Sequence, residues 1–459
     1  MSRTILWAGV LALMLAASPR AWAEADPIPK VQFTKYTLPN GLEVILIPDR
    51  TVPLVAVSVW YHVGGGDETP GKSGFAHLFE HMMFQGTKHT GEDVHFKILE
   101  EIGASNVNGT TNNGRTNYFE VVPSNHLETA LWLESDRMGY MLETVTEKSL
   151  ANQRDVVKNE RRQRIDTAPY GKENMATYEQ LYPEGHPYRY NVIGRFEDLT
   201  AASLDDVKGF FRTWYVPSNA TLTLAGDFDE AEAKKAIDKW FAGFPKLPKP
   251  KRSAALAAPP KQPKQIVVKD EFARLKRVRY AWHTPKLYAP GDAELDLAAY
   301  ALGDAGTGRL YRKLVLDKQL AARVTVYQES QDLSSAFHII ADLKEGSDVA
   351  AVKQIIEEEI GRLAKEPMSD KELGRGRLAM EVRFVWGLEP LLGRTETLQG
   401  YNHSFGDPDG FARDLNRYRQ ATAAGVQAAV AKYLAPNARV EVVTEPGAPA
   451  AAPAKGGAK

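Results

Sequence analysis

The stretch Gly74-Phe75-Ala76-His77-Leu78-Phe79-Glu80-His81-Met82-Met83-Phe84 is the most informative part of the chain. Its apolar residues recur at the spacing of a helix with one buried face, and residues four apart lie on the same face of a helix. His77 and His81 can therefore direct two imidazoles at one point. Glu80 stands at the edge of that face, next to His81. This arrangement suits a divalent metal ion with a base beside it.

A hydrolytic zinc site usually has three protein ligands and one open position, so a third ligand must come from elsewhere in the chain. Isolated histidine pairs on helices are more often surface or core residues than ligands. The full His-x-x-Glu-His pattern is rarer, because 10 histidines in 459 residues would produce it by chance in about one chain in a hundred. Burial of the helix would make such a site dry and rigid. The residues expected to bury it are Ala76, Leu78, Phe79, Met82 and Phe84.

Composition limits the possible classes of protein. Hydrophobic residues make up 43% and charged residues 25%, as in soluble globular proteins, and 459 residues are typical of two or three domains. The formal charge of -1 leaves no net field for binding nucleic acid. The chain has no cysteine, so a metal would have to use histidine and carboxylate ligands.

Residues 1–23 have the pattern of a secretory signal peptide. Arg3 precedes an apolar run from Ile5 to Ala17, and Ala21-Trp22-Ala23 supplies small residues two apart. The apolar run is shorter than the roughly 20 residues that a membrane-spanning helix needs. We therefore expect cleavage after Ala23, export to the periplasm, and no stable membrane insertion of the mature protein.

Strand and helix patterns are mixed along the chain and predict an α+β fold. Asn40-Gly41 is a strong hairpin signal between two apolar runs. The strands predicted for the N-terminal half are Phe33–Leu38, Leu42–Ile47, Val55–Val63 and Ala220–Ala225. The helices predicted there begin near Ser73 and cover Asn125–Met141 and Thr146–Arg164.

A segment rich in proline and lysine divides the chain. Residues 244–264 contain six prolines and six basic residues, which cannot bury much apolar surface. We predict a linker at 245–264 between domains at 28–244 and 265–445, and a disordered tail at 446–459. Tyr215-Val216-Pro217-Ser218-Asn219-Ala220 is echoed by Tyr433-Leu434-Ala435-Pro436-Asn437-Ala438, which indicates two related domains.

The stretch from Gly74 to Phe84 resembles the pitrilysin and mitochondrial-processing-peptidase family of zinc peptidases, which carry this inverted motif. The resemblance extends over nearly the whole mature chain and is weaker in the second half. It implies two domains, each a mostly antiparallel sheet packed with helices. It also implies hydrolysis of peptides or unfolded segments held extended in an enclosed chamber.

The same resemblance implies roles for individual residues. The run Asn152–Arg162 resembles the family's third-ligand helix, so that His77, His81 and Glu160 would hold one zinc ion per subunit and Glu80 would act as the catalytic base. Gln153 stands where the family often has a second glutamate. It would orient a ligand or water by hydrogen bonds.

Two further segments resemble substrate-contacting parts of the family. Asn108-Gly109-Thr110-Thr111 resembles a strand edge beside the active site, which implies that Asn108 and Thr111 bind the peptide; composition alone favours a polar loop there. Arg394 and Tyr401 resemble a pair that contacts substrate from the opposite domain, although their spacing alone favours a structural role. The resemblance implies a dimer, either of identical chains or with a related subunit.

Two other functions stay open at this point. One is a non-catalytic partner or scaffold subunit of the same family, which usually lacks the complete motif. The other is a periplasmic zinc-binding protein that does not hydrolyse peptides. Cleavage of a peptide library with and without a chelator would separate both from an active peptidase.

Overall fold

The computed structural model describes residues 28–252, 254 and 262–447 of the chain. The predicted signal peptide and residues 448–459 of the predicted tail lie outside the described residues. Among the helices that are described, none has both the length and the hydropathy needed to cross a bilayer.

The first sheet has six strands in the order β1-β2-β6-β3-β5-β4. Only β2 and β6 pair in parallel, and the other neighbours are antiparallel. The predicted hairpin is confirmed: Thr34 pairs with Leu46, and Gly41 in the turn has φ +97°. The strands are β1 (Thr34–Thr37), β2 (Glu43–Pro48), β3 (Leu54–Tyr61), β4 (Ser105–Thr111), β5 (Thr116–Pro123) and β6 (Ala220–Gly226).

Eight helices accompany this sheet in the described part of the N-terminal half. The predicted helices near residues 73, 125 and 146 are confirmed, with the last one continuing as a π-helical turn over Arg162–Asp166. The helices are α1 (Phe75–Met82), α2 (Val94–Glu101), α3 (Leu127–Tyr140), α4 (Glu147–Arg161), α5 (Gly171–Leu181), α6 (Phe196–Ala201), α7 (Leu204–Trp214) and α8 (Glu230–Phe241).

The second sheet has five strands in the order β7-β11-β8-β10-β9, with only β7 and β11 parallel. Its strands are β7 (Lys264–Asp270), β8 (Arg277–Thr284), β9 (Ala321–Glu329), β10 (Ser335–Leu343) and β11 (Arg439–Pro446). Its helices are α9 (Asp292–Gly303), α10 (Arg309–Tyr311), α11 (Val349–Lys365), α12 (Asp370–Gly387), α13 (Leu391–Phe405), α14 (Phe411–Gln420) and α15 (Ala423–Tyr433).

The echoed sequences occupy the same place in both sheets. A short 3-10 turn, Pro217–Asn219 or Pro436–Ala438, leads into β6 or β11. Each of these strands lies between one parallel and one antiparallel neighbour: β6 between β2 and β3, and β11 between β7 and β8. The predicted fold class, α+β with two related domains, is therefore confirmed.

The two domains exchange helices across their sheets. Helix α5 of the first domain packs on β7, β8 and β11, and α13 of the second packs on β3 and β6. Leu398 of α13 is buried with Ile45 and Ala225, and burial of apolar side chains on both sides of a sheet stabilises it. Hydrogen bonds accompany this apolar packing. Glu396 of α13 accepts three of them from side chains of the first sheet. Its donors are Ser58 Oγ at 2.8 Å, Trp60 Nε1 at 3.1 Å and Asn117 Nδ2 at 2.9 Å.

We expect Glu396→Ala to lower the free energy of unfolding by about 2 kcal/mol, because three donors lose their charged acceptor at a partly buried contact. Urea unfolding followed by tryptophan fluorescence would measure this change. Glu101→Ala is the control, since the Glu101 side chain is 65% exposed and, among the described residues, forms an ion pair only with Lys97 at 3.9 Å. Equal destabilisation by both substitutions would contradict the role given to Glu396.

Candidate metal centre

Helix α1 packs against the core of the first domain through its apolar face. Phe75, Ala76, Leu78, Phe79 and Met82 are buried, and the Phe79 ring lies 4.6 Å from that of Tyr215. The remaining positions of a helix with 3.6 residues per turn point away from this core. His77, Glu80 and His81 are these positions, and they share the opposite face of the helix.

The start of α1 depends on two residues outside the motif. Gly74 has φ +87°, and a Cβ atom there would lie 2.7 Å from the carbonyl oxygen of Ile193, so only glycine fits. The Glu68 carboxyl group accepts hydrogen bonds from the backbone N–H groups of Gly74 and Ala76, both at 2.9 Å. Burial raises the pKa of Glu68 to about 8, and these two hydrogen bonds oppose that effect. They satisfy backbone donors at the first turn of the helix that carries His77.

Three side chains converge at the face of α1. Glu160 of α4 places its Oε2 atom 3.6 Å from His77 Nε2 and 3.2 Å from His81 Nε2. Nitrogen and oxygen ligands at zinc distances from a tetrahedral ion are about 3.3 Å apart. The two distances from Glu160 are close to this value, and ligand atoms of all three side chains lie within 4.8 Å of one another, so the three residues fit as ligands of one zinc ion. All three side chains are mostly buried, with exposed fractions of 12%, 24% and 17% for His77, His81 and Glu160.

The pKa shifts of His77 and Glu160 favour the protonation states that bind a metal ion. Burial, and then the neighbouring His81, lower the pKa of His77 to about 4, which leaves a neutral imidazole. The hydrogen bond from His81 holds the pKa of Glu160 below its usual value. Neutral histidine and ionised carboxylate are the forms that bind metals. Arg164, one turn after Glu160, binds the other carboxylate oxygen at 2.8 Å; sequence reasoning missed this residue, although its i,i+4 spacing from Glu160 is a local signal.

Glu80 stands beside the three converging side chains and has a partner of its own. The Thr111 hydroxyl donates a hydrogen bond to Glu80 Oε2 at 2.5 Å. Burial raises the pKa of Glu80, and the hydrogen bond from Thr111 opposes this effect. The predicted substrate-binding residue Thr111 thus bonds the predicted base, and its contact with substrate stays a prediction.

The strand that carries Thr111 is the outermost strand of the first sheet. Its register shifts between Ser105 and Asn108, where Asn106 has φ +51°, as in a β-bulge beside a site. Asn108 is exposed on this strand. The open backbone edge of β4 thus runs past Glu80, with Gly109 packed closely against the Glu80 side chain.

Gln153, Arg394 and Tyr401 are the other predicted site residues. Gln153 is buried on α4, two turns before Glu160 on the same face. Arg394 donates hydrogen bonds to the Leu388 carbonyl at 2.7 Å and to Asp49. Tyr401 is 4% exposed, and its hydroxyl donates to Asp414 at 3.2 Å. Within the described chain, these hydrogen bonds of Arg394 and Tyr401 do not involve His77, His81 or Glu160. The contact of Arg394 and Tyr401 with substrate stays a prediction.

A second group of three possible ligands lies in the core of the first domain. His95, Glu120 and Glu134 are fully buried and close enough together to share an ion. Arg137, however, donates to both oxygens of Glu134, through Nε at 2.9 Å and through a second guanidinium nitrogen. A cation would meet this guanidinium, and burial raises the pKa of Glu120 well above its usual value. The group at α1 is therefore the better metal site.

Comparison with known proteins places the chain in a family. The family profile described as "Insulinase (Peptidase family M16)" matches residues 43–182, and "Peptidase M16 inactive domain" matches residues 201–380. Zinc protease PqqE of Helicobacter pylori is 28% identical over 383 residues, covering 83% of this chain and 84% of that protein. The uncharacterized zinc protease YmxG of Bacillus subtilis is 25% identical over 360 residues, covering 77% and 84%.

A solved structure agrees with these sequences. The crystal structure of a protease from Helicobacter pylori superposes with a TM-score of 0.84 at 25% identity, and covers 92% of this chain and 100% of that one. The fold consists of two related sheet-and-helix domains, and the first domain carries a convergent His-His-Glu group. Together with relatives named zinc proteases, these features indicate a protein of the metallopeptidase class. The chain belongs to the M16 family of zinc peptidases. The family resemblance of the motif is thereby confirmed.

We expect His77→Ala to lower the zinc retained per chain after dialysis about tenfold or more, because one of three converging ligands is lost. Inductively coupled plasma mass spectrometry on purified protein would measure the zinc. His95→Ala is the matched control, since it removes a histidine from the group closed by Arg137 and should leave the zinc content unchanged. Loss of zinc in the control with retention in His77→Ala would reverse the assignment.

Proposed function

We propose that the chain is a zinc metallopeptidase, acting as an endopeptidase or oligopeptidase on extended peptides or unfolded segments. The observation that carries this proposal is the convergence of His77, His81 and Glu160 beside an unligated Glu80. Zinc bound there would supply Lewis-acid activation of a water and of the scissile carbonyl. Neither a scaffold subunit nor a zinc-binding protein without hydrolytic activity needs a base positioned in this way.

The open edge of β4 is the proposed peptide-binding surface. An extended peptide that adds to this edge gains main-chain hydrogen bonds whatever its sequence. Asn108 is exposed there and can bond the peptide backbone with its side-chain amide. The peptide would then pass Glu80, since Gly109 lets the strand approach that side chain closely. Such binding favours broad specificity.

Glu80 is proposed to move the protons of the reaction. As a carboxylate it would accept a proton from the attacking water and then deliver it to the departing amine. Burial that raises its pKa favours this exchange, because the group must both take and release a proton. Thr111 would hold the second oxygen, so that the carboxylate faces the water.

The cellular setting and assembly complete the proposal. The signal-peptide pattern at residues 1–23 supports export to the periplasm, and a structural neighbour is the periplasmic protease PqqL of Escherichia coli, which shares the fold at a TM-score of 0.75. We propose that two chains pair to enclose the peptide. Identical chains suffice for this, and a related subunit is the alternative partner.

Glu80→Gln should lower kcat for peptide cleavage by about a thousandfold while zinc content stays at the wild-type value, because only proton transfer is lost. A peptide-library digest with mass-spectrometric readout, with and without a chelator, would measure the cleavage. Glu92→Gln, at an exposed position, should cleave normally. Cleavage by Glu80→Gln at the wild-type rate would disprove the base, and a zinc-loaded wild type without any cleavage would favour the scaffold alternative.

Thr111→Val should lower kcat about tenfold, since it removes one hydrogen bond to a charged group. Thr110→Val is the neighbouring control: the Thr110 hydroxyl donates to Asn117 at 2.6 Å and accepts from Arg115 at 2.6 Å. The control should keep kcat within about twofold. Equal losses in both variants would indicate that the β4–β5 pair is disturbed and that Thr111 has no separate role.

A further inference from the structure

Arg115 ends the turn between β4 and β5 and has a partly buried guanidinium group without an acidic partner. Its Nη1 atom donates hydrogen bonds to the carbonyl oxygen of Thr110 at 2.9 Å and to the Thr110 hydroxyl at 2.6 Å. The guanidinium carbon lies 5.1 Å from the centre of the Trp60 ring. Among the described residues, Arg115 forms no ion pair, and its Nε atom is buried without a hydrogen-bond partner. The Nη2 atom bonds none of these residues either, although it is accessible.

Other arginines removed from water in this protein face a carboxylate. Burial lowers the pKa of Arg115, and the charges of Glu396 and Glu80 oppose this effect only in part. A cation that loses hydration without gaining a counter-ion is destabilising, so the arrangement favours an anion supplied by a ligand. The four fully buried arginines of the described chain, by contrast, form the pairs Arg137–Glu134, Arg161–Asp166, Arg279–Glu173 and Arg439–Glu441.

The guanidinium group lies at a cavity between the two domains. This cavity has a volume of about 560 Å³, and its wall includes Trp60, Thr111 and Arg115 from the first domain and Tyr288 from the second. Thr111 donates its hydroxyl hydrogen bond to Glu80, so the cavity begins beside the proposed base. A side chain of a peptide bound near Glu80 can therefore enter the cavity and meet Arg115.

Two acids line the same cavity, and both have partners of their own. Asp332 lies 3.6 Å from Arg252, which carries the opposite charge. Glu329 accepts a hydrogen bond from the Tyr178 hydroxyl. Neither acid forms an ion pair with Arg115 within the described chain. The part of the cavity at Arg115 thus keeps an uncompensated positive charge.

The position of Arg115 on the β4–β5 pair decides which side of a bound peptide it meets. Successive side chains of a strand point to opposite faces of the sheet. Thr110 and Asn117 lie opposite each other and share the face covered by α13, because Asn117 donates a hydrogen bond to a carboxylate of that helix. The bonds to Thr110 place the Arg115 guanidinium on this face, over the outermost strand. Thr111 points to the other face, toward Glu80.

We propose that Arg115 binds a carboxylate group of the peptide substrate. This inference rests on the proposed function, because it concerns a peptide that adds to the open edge of β4. Every second side chain of such a peptide points to the α13 face, and neighbouring strands are about 4.8 Å apart, so an aspartate or glutamate beside Thr110 reaches the guanidinium group. A C-terminal carboxylate at the same place has the same chemistry. Since Thr111 bonds Glu80, the carboxylate lies within about two residues of the cleaved bond.

Paired peptides measure the preference for a carboxylate. One set of short fluorogenic peptides carries a single glutamate at each position in turn, and a second set carries glutamine instead. We expect kcat/KM of the best glutamate peptide to exceed that of its glutamine partner at least about tenfold, because hydrogen bonds between two charged groups are the stronger ones. A third set, which ends at each position in a free carboxylate or an amide, separates a C-terminal carboxylate from an acidic side chain. Equal rates within every pair would overturn the proposal.

Variants of Arg115 assign the preference to this residue. Arg115→Gln should bring the ratio of the two rates to about one, and Arg115→Lys should keep part of it, because lysine retains the charge but not the planar pair of donors. Arg115→Glu should favour a peptide with lysine at the same position. A purely structural role would lower all rates together and leave the ratios unchanged, which would overturn the proposal. Arg50→Gln is the matched control and should keep the wild-type ratio, since the Arg50 side chain is 67% exposed.

A binding measurement separates this inference from the peptidase activity. Zinc-loaded Glu80→Gln protein should bind the glutamate peptide about tenfold more tightly than the glutamine peptide in fluorescence anisotropy, and the double variant Glu80→Gln/Arg115→Gln should bind both equally. Such a difference, in a protein whose wild type cleaves nothing, would support the carboxylate site and contradict the proposed function. Cleavage of both peptides at equal rates, with equal binding, would support the peptidase and overturn the role of Arg115.

Discussion

The rigidity of one short helix is the constraint on which the site depends. Two imidazoles can bind one ion only if their backbone positions are fixed to within a fraction of an ångström. Helix α1 has eight residues, and five of them are buried. Its start is anchored by the hydrogen bond from Gly74 to Glu68 and by the close packing of Gly74 against Ile193. The opposite face therefore presents His77 and His81 in one orientation, and α4 needs to supply only Glu160.

The second domain repeats this architecture without the chemistry. Helix α9 follows β8 as α1 follows β3, but its sequence from Asp292 to Gly303 contains no histidine. Both groups of possible ligands in the described chain lie in the first domain. The shared part of the repeat is the packing: each domain sends one helix, α5 or α13, across the sheet of the other. The domains therefore stabilise each other, although the candidate metal site with His77, His81 and Glu160 lies in the first domain alone.

Features set by neighbouring residues were predictable, and features set by distant contacts were not. The Asn40-Gly41 hairpin and the helix at 75–82 follow from turn chemistry and periodicity, which act over a few residues. Glu160 lies on another helix, and no local pattern distinguishes it from the other glutamates on polar helix faces; only family resemblance identified it. The hydrogen bonds from Ala76 to Glu68 and from Thr111 to Glu80 join separate segments of the chain. Periodicity within one segment does not predict which other segment it will contact. Arg394 bonds Asp49, 345 positions away in sequence.

The same long-range contacts explain why the second domain matters to a site that it does not line with ligands. The turn after β4 is bound to that domain: Asn113 donates to Gln331 at 2.5 Å. Arg252, in the segment between the domains, bonds Asp67 at 3.0 Å and lies 3.6 Å from Asp332. A displacement of the second domain would therefore pull on the hairpin that carries Thr111, and so on the orientation of Glu80. The second domain has no metal ligands of its own, but its contacts help to position β4 and Glu80 relative to His77, His81 and Glu160.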